Sequence, residues 1–342
     1  MHTRVQRIAE RRIVFAPVAN GIAALAPAGP IALLGSRRSL ALLTDDAFGG
    51  AAVHRFDGVR PHNPRATVDA ARARVDEHGC ASVVAIGSSS AIDLGKAVAD
   101  GSGLPLVAIP TALGGAEMSR GYGVLEGDRK ATARAAVPPQ GVIYDASLLA
   151  SLAPRELASI GINAWAHAIE AAYARTPHAL GTAAAHAAGR RLPSLLLRAA
   201  DRRDDALHEA FFEAAHLAGF ALDTRSMGMH HAICHVVGGL TQIPHGIVNA
   251  IVLPHAIRAN ARLAPDAVDA VEAAFGIGDL ATHAEAIAAA FALPRTFASL
   301  DAPHDLAMRV VPRVMESPLL DNNPVRPDEA TVAQVVAAAE GR

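Results

Sequence analysis

The sequence predicts an α/β N-terminal part followed by an all-helical C-terminal part, and three observations carry that prediction. Residues 1–150 alternate short apolar runs with helix-like segments, the pattern of a parallel sheet wound with helices. From Ser151 onward, alanine- and leucine-rich segments keep helical spacing and β-branched runs become few. One junction, Gly87 to Ala91, joins a β-branched run to a helical one through small residues only. The boundary is placed at residue 150, giving domains 1–150 and 151–342; at roughly 100–200 residues per domain, 342 residues suit two.

The elements follow in chain order. Ile13–Phe15 is a short apolar run before Pro17, and Ile31–Leu34 is another, ending at Gly35-Ser36. Ala66–His78 has helical periodicity and stops at Gly79. Ser82–Ile86 reads as a buried strand, Ala91–Asp100 as the helix after it, and Leu106–Ile109 as a third strand stopped by Pro110. Val142–Tyr144 is a further strand ending at Asp145. Helical spacing then covers Ser151–Leu157, Ile162–Ala174 and residues 178–200, 203–222, 226–239, 249–261, 265–275 and 279–291. Asp321–Pro327 is a loop before a last helix, Asp328–Ala339.

Composition narrows the function. At 51% hydrophobic residues the chain is too apolar to be an acidic disordered segment. Lys plus Arg number 31 against 33 Asp plus Glu, so no basic footprint marks nucleic acid as a partner. Two cysteines, Cys80 and Cys234, make no disulfide framework and suit a reducing cytoplasm. Val14–Ser36 carries no charge, but Pro17, Gly21, Pro27, Gly29 and Pro30 interrupt it. No membrane span is expected there.

Three motifs can carry chemistry. Gly87, Ser88, Ser89 and Ser90, followed by Asp93 and Lys96, lie at a strand-to-helix junction. Free backbone N–H groups and the helix dipole favour a phosphate there; an ordinary serine-capped turn is the competing reading. Pro110–Ser119 runs from a strand end into a loop of small residues, where Thr111 and Ser119 suit a ribose or pyrophosphate. The third motif is the most specific. Asn163 and His167 share a helix face, as do His231 and His235, with His230 beside them and His245 just past Pro244. One histidine on an apolar helix is usually a core residue. Several that converge need partners when buried, and imidazoles suit a transition metal or proton transfer near neutral pH. Cys234, within this cluster, reads as a small buried hydrophobe rather than a reactive thiol.

These segments, in this order, resemble the iron-containing alcohol dehydrogenase superfamily over nearly the whole chain. Asp93, Lys96, Pro110, Thr111, His167, His231, His235, Pro244, His245 and Gly246 match its motifs, and Leu253–Asn260 and Asn323–Arg326 look like further family segments. Within the superfamily the sequence is most similar to maleylacetate reductases, through Gly115–Ser119, Tyr122-Gly123, Glu126-Gly127, Gly161–Ala168 and Ala232–Gly239. The resemblance implies a dehydroquinate synthase-like architecture with a dinucleotide-binding α/β domain. It also implies an NAD(P)H-dependent reductase that delivers hydride to the enone of maleylacetate, or of a related oxo-acid, giving 3-oxoadipate. A homodimer is implied as well.

Two departures stand out. Ser88 and Ser89 replace turn glycines, which changes the turn wherever positive φ is required. Asn163 stands where metal-dependent relatives have Asp, and an amide is the poorer ligand for a divalent cation. The expectation is therefore that no metal is obligatory; any bound metal would sit on Asn163, His167, His231 and His245. Conjugate reduction builds an enolate, so imidazole donors must stabilise it. His245 and His235 are the leading donors or proton sources, with His167 and His231 supporting them. Arg120 and Arg258 are ranked ahead of Lys130 and Arg225 for a dicarboxylate substrate. After Ile31–Leu34 the chain has Arg37 and Arg38 and no acid, so a 2′-phosphate is accommodated and either NADH or NADPH is expected. Two rival readings remain: a metal-dependent alcohol dehydrogenase acting on an aldehyde or ketone, and a repurposed, non-catalytic nucleotide-binding relative.

Overall fold

A computed structural model describes residues 3–341 of the chain, apart from 9, 10, 62, 128, 242, 301 and 304. The chain divides into two compact units: Met1–Leu152 with Asp204–Phe212, and Ala153–Arg203 with Glu213–Arg342. No helix among the described residues is long and apolar enough to cross a membrane.

The first unit holds strands β1 (Arg4–Ile8), β2 (Arg11–Phe15), β3 (Ile31–Gly35), β4 (Val53–Phe56), β5 (Ser82–Gly87), β6 (Leu106–Pro110), β7 (Gly121–Glu126), β8 (Arg129–Arg134) and β9 (Gly141–Tyr144). Its helices are α1 (Val18–Leu25), α2 (Arg37–Leu40), α3 (Arg65–Glu77) and α4 (Ser89–Ser102). The main sheet runs β1-β2-β9-β6-β5-β3-β4, parallel throughout except that β1 pairs antiparallel with β2. Strands β3, β5, β6 and β9 are buried along their whole length. A strand covered on both faces must be apolar at every position, so these four, like the Ile13–Phe15 stretch of β2, are announced in the sequence as continuous runs. Edge strand β4 is only half-buried, and β7 pairs with β8 in a separate hairpin. None of β1, β4, β7 and β8 carries a continuous apolar run, which is why sequence reading passes over them.

Register fixes where a ligand meets this sheet. Gly35 pairs with Ile86 and Gly87 with Pro110, so the carboxyl ends of β3, β5 and β6 align. From β3 the chain order leads to β4 on one side and to β5 on the other. That reversal opens a crevice at the strand ends, the usual ligand position in wound sheets.

The second unit is built on α5 (Pro154–Tyr173), α6 (Ala179–Asp201), α7 (Asp205–Arg225), α8 (Met229–Leu240), α9 (His245–Leu263), α10 (Pro265–Phe275), α11 (Leu280–Ala290), α12 (Leu306–Met315) and α13 (Glu329–Glu340). The first residues of α7 belong to the first unit, where the Phe212 ring lies 4.9 Å from that of Tyr144. Among the helix boundaries that differ from the sequence reading, three bear on the site. The separate segments 151–157 and 162–174 are the single helix α5. Helix α8 starts three residues late, because Ser226 takes φ +65 and breaks the run. Helix α9 starts early, at His245, with Pro244 as its N-cap. The α9 start lies hard against α5: a Cβ on Gly246 would sit 2.7 Å from Ser159 Oγ and 3.0 Å from its backbone carbon. Only glycine permits that approach, and it sets where His245 stands.

Candidate active site

In the first unit the small-residue turn sits at the crevice. Gly87 has φ +143, and a Cβ there would lie 2.8 Å from the Ala91 Cβ and 3.2 Å from Ser39 Oγ. The position is reserved for glycine, which lets the turn pack directly against the α4 start and Ser39. Ser88 is extended, with φ −76 and ψ −174, and Ser89 is the first residue of α4. Neither serine occupies the left-handed region, so their replacement of glycine strains nothing. The unpaired N–H groups of the first turn remain available to a phosphate. Thr111 is half-buried and donates its backbone N–H to Gly87 O at 3.0 Å, which ties the following loop to the turn. A Cβ on Gly114 would clash with Ser89 Oγ, so that loop lies over the α4 start. Small residues, a close backbone turn and the first N–H groups of α4 together fit a dinucleotide's phosphates.

Lys96 and Asp93 face a different task. Lys96 is buried, pairs with Asp93 Oδ1 at 2.8 Å, and donates to the carbonyls of Ala116, at 3.0 Å, and Gly121. Ser119 Oγ lies 3.4 Å from the same ammonium. These three residues hold the 116–121 loop closed, and the lysine is turned away from solvent. Arg37 is exposed and donates to Asp57 Oδ2 at 2.7 Å. The pairing holds the Asp57 carboxyl below its ordinary range. A hollow of about 480 Å³ there is lined by Ser36, Arg37, Arg38, Asp57, Val59 and Arg60. Sequence reading missed Asp57 and Arg60 because it looked for the acid after β3, whereas Asp57 follows the neighbouring strand β4.

The histidines gather in the second unit. The His167 and His231 rings stack at 4.6 Å and 24°. His231 lies 5.9 Å from His235 and 6.5 Å from His245, and the last two stack at 5.9 Å and 27°. Burial divides them. His230 and His231 are fully buried and His167 is nearly so, whereas His235 and His245 are exposed. Helical spacing produces the division: His231 and His235 share a face, but His235 is one turn nearer the solvent end of α8.

Each buried ring has its own chemistry. His231 Nδ1 lies 2.6 Å from Glu170 Oε2 and its Nε2 3.2 Å from Asn163 Oδ1. His230 Nε2 lies 2.8 Å from Asn249 Oδ1, while the Asn249 amide donates to the His245 carbonyl at 2.8 Å. With the Asn249 NH₂ so committed, its oxygen accepts from His230, whose proton is therefore on Nε2. Burial holds His167 and His231 well below the usual imidazole range, and neighbouring histidines add to the shift, so both are neutral at pH 7. Burial likewise pushes the Cys234 thiol far up, which leaves it an inert hydrophobe.

Glu170 was missed from the sequence, although a signal existed. It stands seven residues after Asn163 and three after His167, on the same face of α5. An acid inside so apolar a helix is costly unless paired.

The predicted substrate cations divide as well. Arg258 donates to both oxygens of Glu285, at 2.6 and 2.9 Å, so its guanidinium ties α9 to α11 and is not offered to a substrate. Arg225 is buried and caps the α5 C-terminus through the carbonyls of Ala171, Ala172 and Ala174. Arg120 is exposed, at the start of β7; the Lys130 side chain lies outside the described residues.

The donor set is a poor one for a divalent cation. An amide stands at 163, and both ring nitrogens of His231 already meet protein atoms. Among the described residues no three His, Cys, Asp or Glu side chains are placed to share a metal ion.

A wound parallel sheet with its glycine turn, and a helical unit carrying clustered histidines, define the dehydroquinate synthase-like architecture. Family models agree: residues 33–146 match iron-containing alcohol dehydrogenase and residues 157–340 match the C-terminal part of the Fe-containing alcohol dehydrogenase family. The chain belongs to the iron-containing alcohol dehydrogenase family. It is 34% identical over 316 residues to a maleylacetate reductase of Burkholderia cepacia, covering 87% of this chain and 88% of that one. A maleylacetate reductase of Sphingobium indicum is also 34% identical, over 86% of this chain and 84% of its own. The crystal structure of maleylacetate reductase from Agrobacterium tumefaciens superposes with a TM-score of 0.86 at 27% identity, covering 99% of this chain and 98% of that one.

Proposed function

We infer that this protein is an NAD(P)H-dependent reductase of the maleylacetate reductase type, converting the enone of maleylacetate or a related oxo-acid to the saturated oxo-acid, 3-oxoadipate in the first case. The observation that carries the reading is the exposed imidazole pair His235 and His245, 5.9 Å apart, in a site with an amide at 163. The Gly87–Ser90 turn and the first turn of α4 would hold the cofactor phosphates, and bound nicotinamide supplies the hydride. As the β-carbon is reduced, negative charge develops on the substrate's ketone oxygen. Imidazole N–H groups of His245 and His235 stabilise that enolate, and the same pair delivers the proton that the α-carbon takes up. His245 is the first residue of α9, so the positive end of the helix dipole adds to its effect on an oxyanion. Oxidation of NADH or NADPH in the presence of maleylacetate, beside a panel of small aldehydes, tests the assignment. Turnover only on the aldehydes would reverse it.

The amide at 163 favours a reaction that needs no metal. Activity is expected to be unchanged by EDTA, and elemental analysis of the purified protein is expected to find well below one Zn or Fe per chain. Asn163→Asp places a carboxylate against the His231 Nε2 lone pair and is expected to raise metal content. Chelator-sensitive turnover by the unmutated protein would overturn this reading in favour of the metal-dependent dehydrogenase. The non-catalytic alternative loses its motive, since Ser88 and Ser89 sit in ordinary backbone.

Both reduced nucleotides suit the hollow beside β3. Asp57 suits ribose hydroxyls, while Arg37, Arg38 and Arg60 suit a 2′-phosphate. Arg37→Ala with Arg60→Ala is expected to lower kcat/KM for NADPH about tenfold, with less effect on NADH; equal losses for the two would go against the assignment. Two buried free cysteines accord with a cytoplasmic protein, and the family resemblance with a homodimer.

A further inference from the structure

Helix α8 carries His231 and His235, yet nothing in its own sequence caps it: the N-cap is Gly228, without a side-chain bond. The buried N–H groups of its first turn find partners from distant parts of the chain instead. Asn323 Oδ1 accepts from Met229 N at 3.2 Å, and Asn323 is held by a reciprocal amide pair with Asn260, at 2.7 and 3.3 Å. Glu170, fully buried, accepts from His230 N at 2.8 Å, and the backbone N–H groups of Gly228 and His231 also turn toward its carboxyl. A Cβ on Gly228 would lie 2.7 Å from Asn323 Oδ1 and 3.1 Å from Glu170 Oε1, so glycine is what lets both acceptors close in.

The same carboxyl meets the His231 ring at 2.6 Å. Burial raises the Glu170 carboxyl above its ordinary range and the N–H groups on it oppose that shift; in its ionised form it only accepts, which puts the ring proton on Nδ1. A neutral ring then shows a lone pair at Nε2, which needs a donor. The Asn163 amide lies 3.2 Å away, and a half-turn of that amide brings its NH₂ to face the lone pair.

We propose that Glu170 is a positioning residue for this site: it anchors the start of α8 and fixes the His231 proton on Nδ1, so that Nε2 accepts from Asn163 and the Asn163 oxygen is turned away. One buried acid thereby sets the direction of two hydrogen bonds and the placement of the helix that presents His235. Behind metal-ligating histidines such a carboxylate commonly matters 10–100-fold, and the orienting role is the same here.

The test uses the full chain labelled with ¹⁵N-histidine. Nitrogen–proton correlation spectra distinguish the Nδ1–H from the Nε2–H tautomer, and a His231→Gln spectrum assigns the signals. The unmutated protein is expected to show His231 as the Nδ1–H tautomer. In Glu170→Gln that preference is expected to be lost, with kcat for maleylacetate reduction falling about tenfold or more at nearly constant KM for the nucleotide. Glu170→Asp, which keeps a carboxylate, is expected to restore part of both. An Nε2–H tautomer in the unmutated protein overturns the proposal, as does a tautomer and kcat unchanged in Glu170→Gln. Should Glu170→Gln not fold, the unmutated and Glu170→Asp spectra decide it, and Nε2–H in either rejects it. The kcat arm rests on the reductase assignment, whereas the spectra do not. A chain inactive on maleylacetate but showing the expected tautomers keeps Glu170 in its role and rejects only the substrate.

Discussion

Replacing His245 with alanine is expected to lower kcat about 100-fold or more, a loss of about 2.7 kcal/mol of transition-state stabilisation. The size follows from the place of the residue. It is exposed, it opens a 19-residue helix, and Gly246 presses that helix start against Ser159 of α5. A donor held there by backbone packing loses little to reorganisation as charge develops, and removing one such donor commonly costs 10²–10³-fold. The backbone of α9 does not depend on the imidazole, so the variant is expected to keep its Tm within a few degrees and its nucleotide affinity. A companion His235→Ala variant ranks the two rings. If His245→Ala turned over within threefold of the unmutated protein, the ring would have no part in the proton chemistry.

The second large effect belongs to Gly87. At φ +143 an L-residue is strained by about 1–3 kcal/mol, and its Cβ would stand 2.8 Å from the Ala91 Cβ. Gly87→Val is therefore expected to weaken nucleotide binding tenfold or more and to lower Tm by several degrees. Quenching of nicotinamide fluorescence measures the first and thermal unfolding the second. Ser88→Gly and Ser89→Gly serve as contrasts. Both serines lie in ordinary backbone, so binding is expected to stay within a few-fold. Undiminished affinity in Gly87→Val would remove this turn from the cofactor site.

The parts of the fold legible in advance were those whose residues obey one physical demand at every position. Strands β3, β5, β6 and β9 lie between layers and must be apolar throughout, so Ile31–Leu34, Ser82–Ile86, Leu106–Ile109 and Val142–Tyr144 stand out without help. The edge strand at Val53–Phe56 and the hairpin at 121–134 answer to partners that no local window contains. Among the site residues, the histidines were visible through i, i+4 spacing and through their sheer number in one stretch. Their division into exposed and buried rings was not, because burial depends on what packs over each ring.

Charged residues show the limit most sharply. Lys96, Arg258 and Arg225 each read as cations available to a ligand. The structure engages them with the carbonyls of the 116–121 loop, with Glu285 and with the end of α5. Those partners are 20 to 54 residues away in the chain. Conversely, Glu170 and Asp57 went unremarked, one inside an apolar helix and the other after an unassigned strand.

Local order alone settled the class of fold, the glycine at the strand-to-helix turn and the identity of the clustered imidazoles, since each is set by neighbours within one turn or one strand. Which imidazole meets solvent, which proton each ring carries and which cations are already paired were decided only when distant segments came together. Hydrogen-bond direction and desolvation are properties of the packed surroundings, and no stretch of sequence contains its own surroundings.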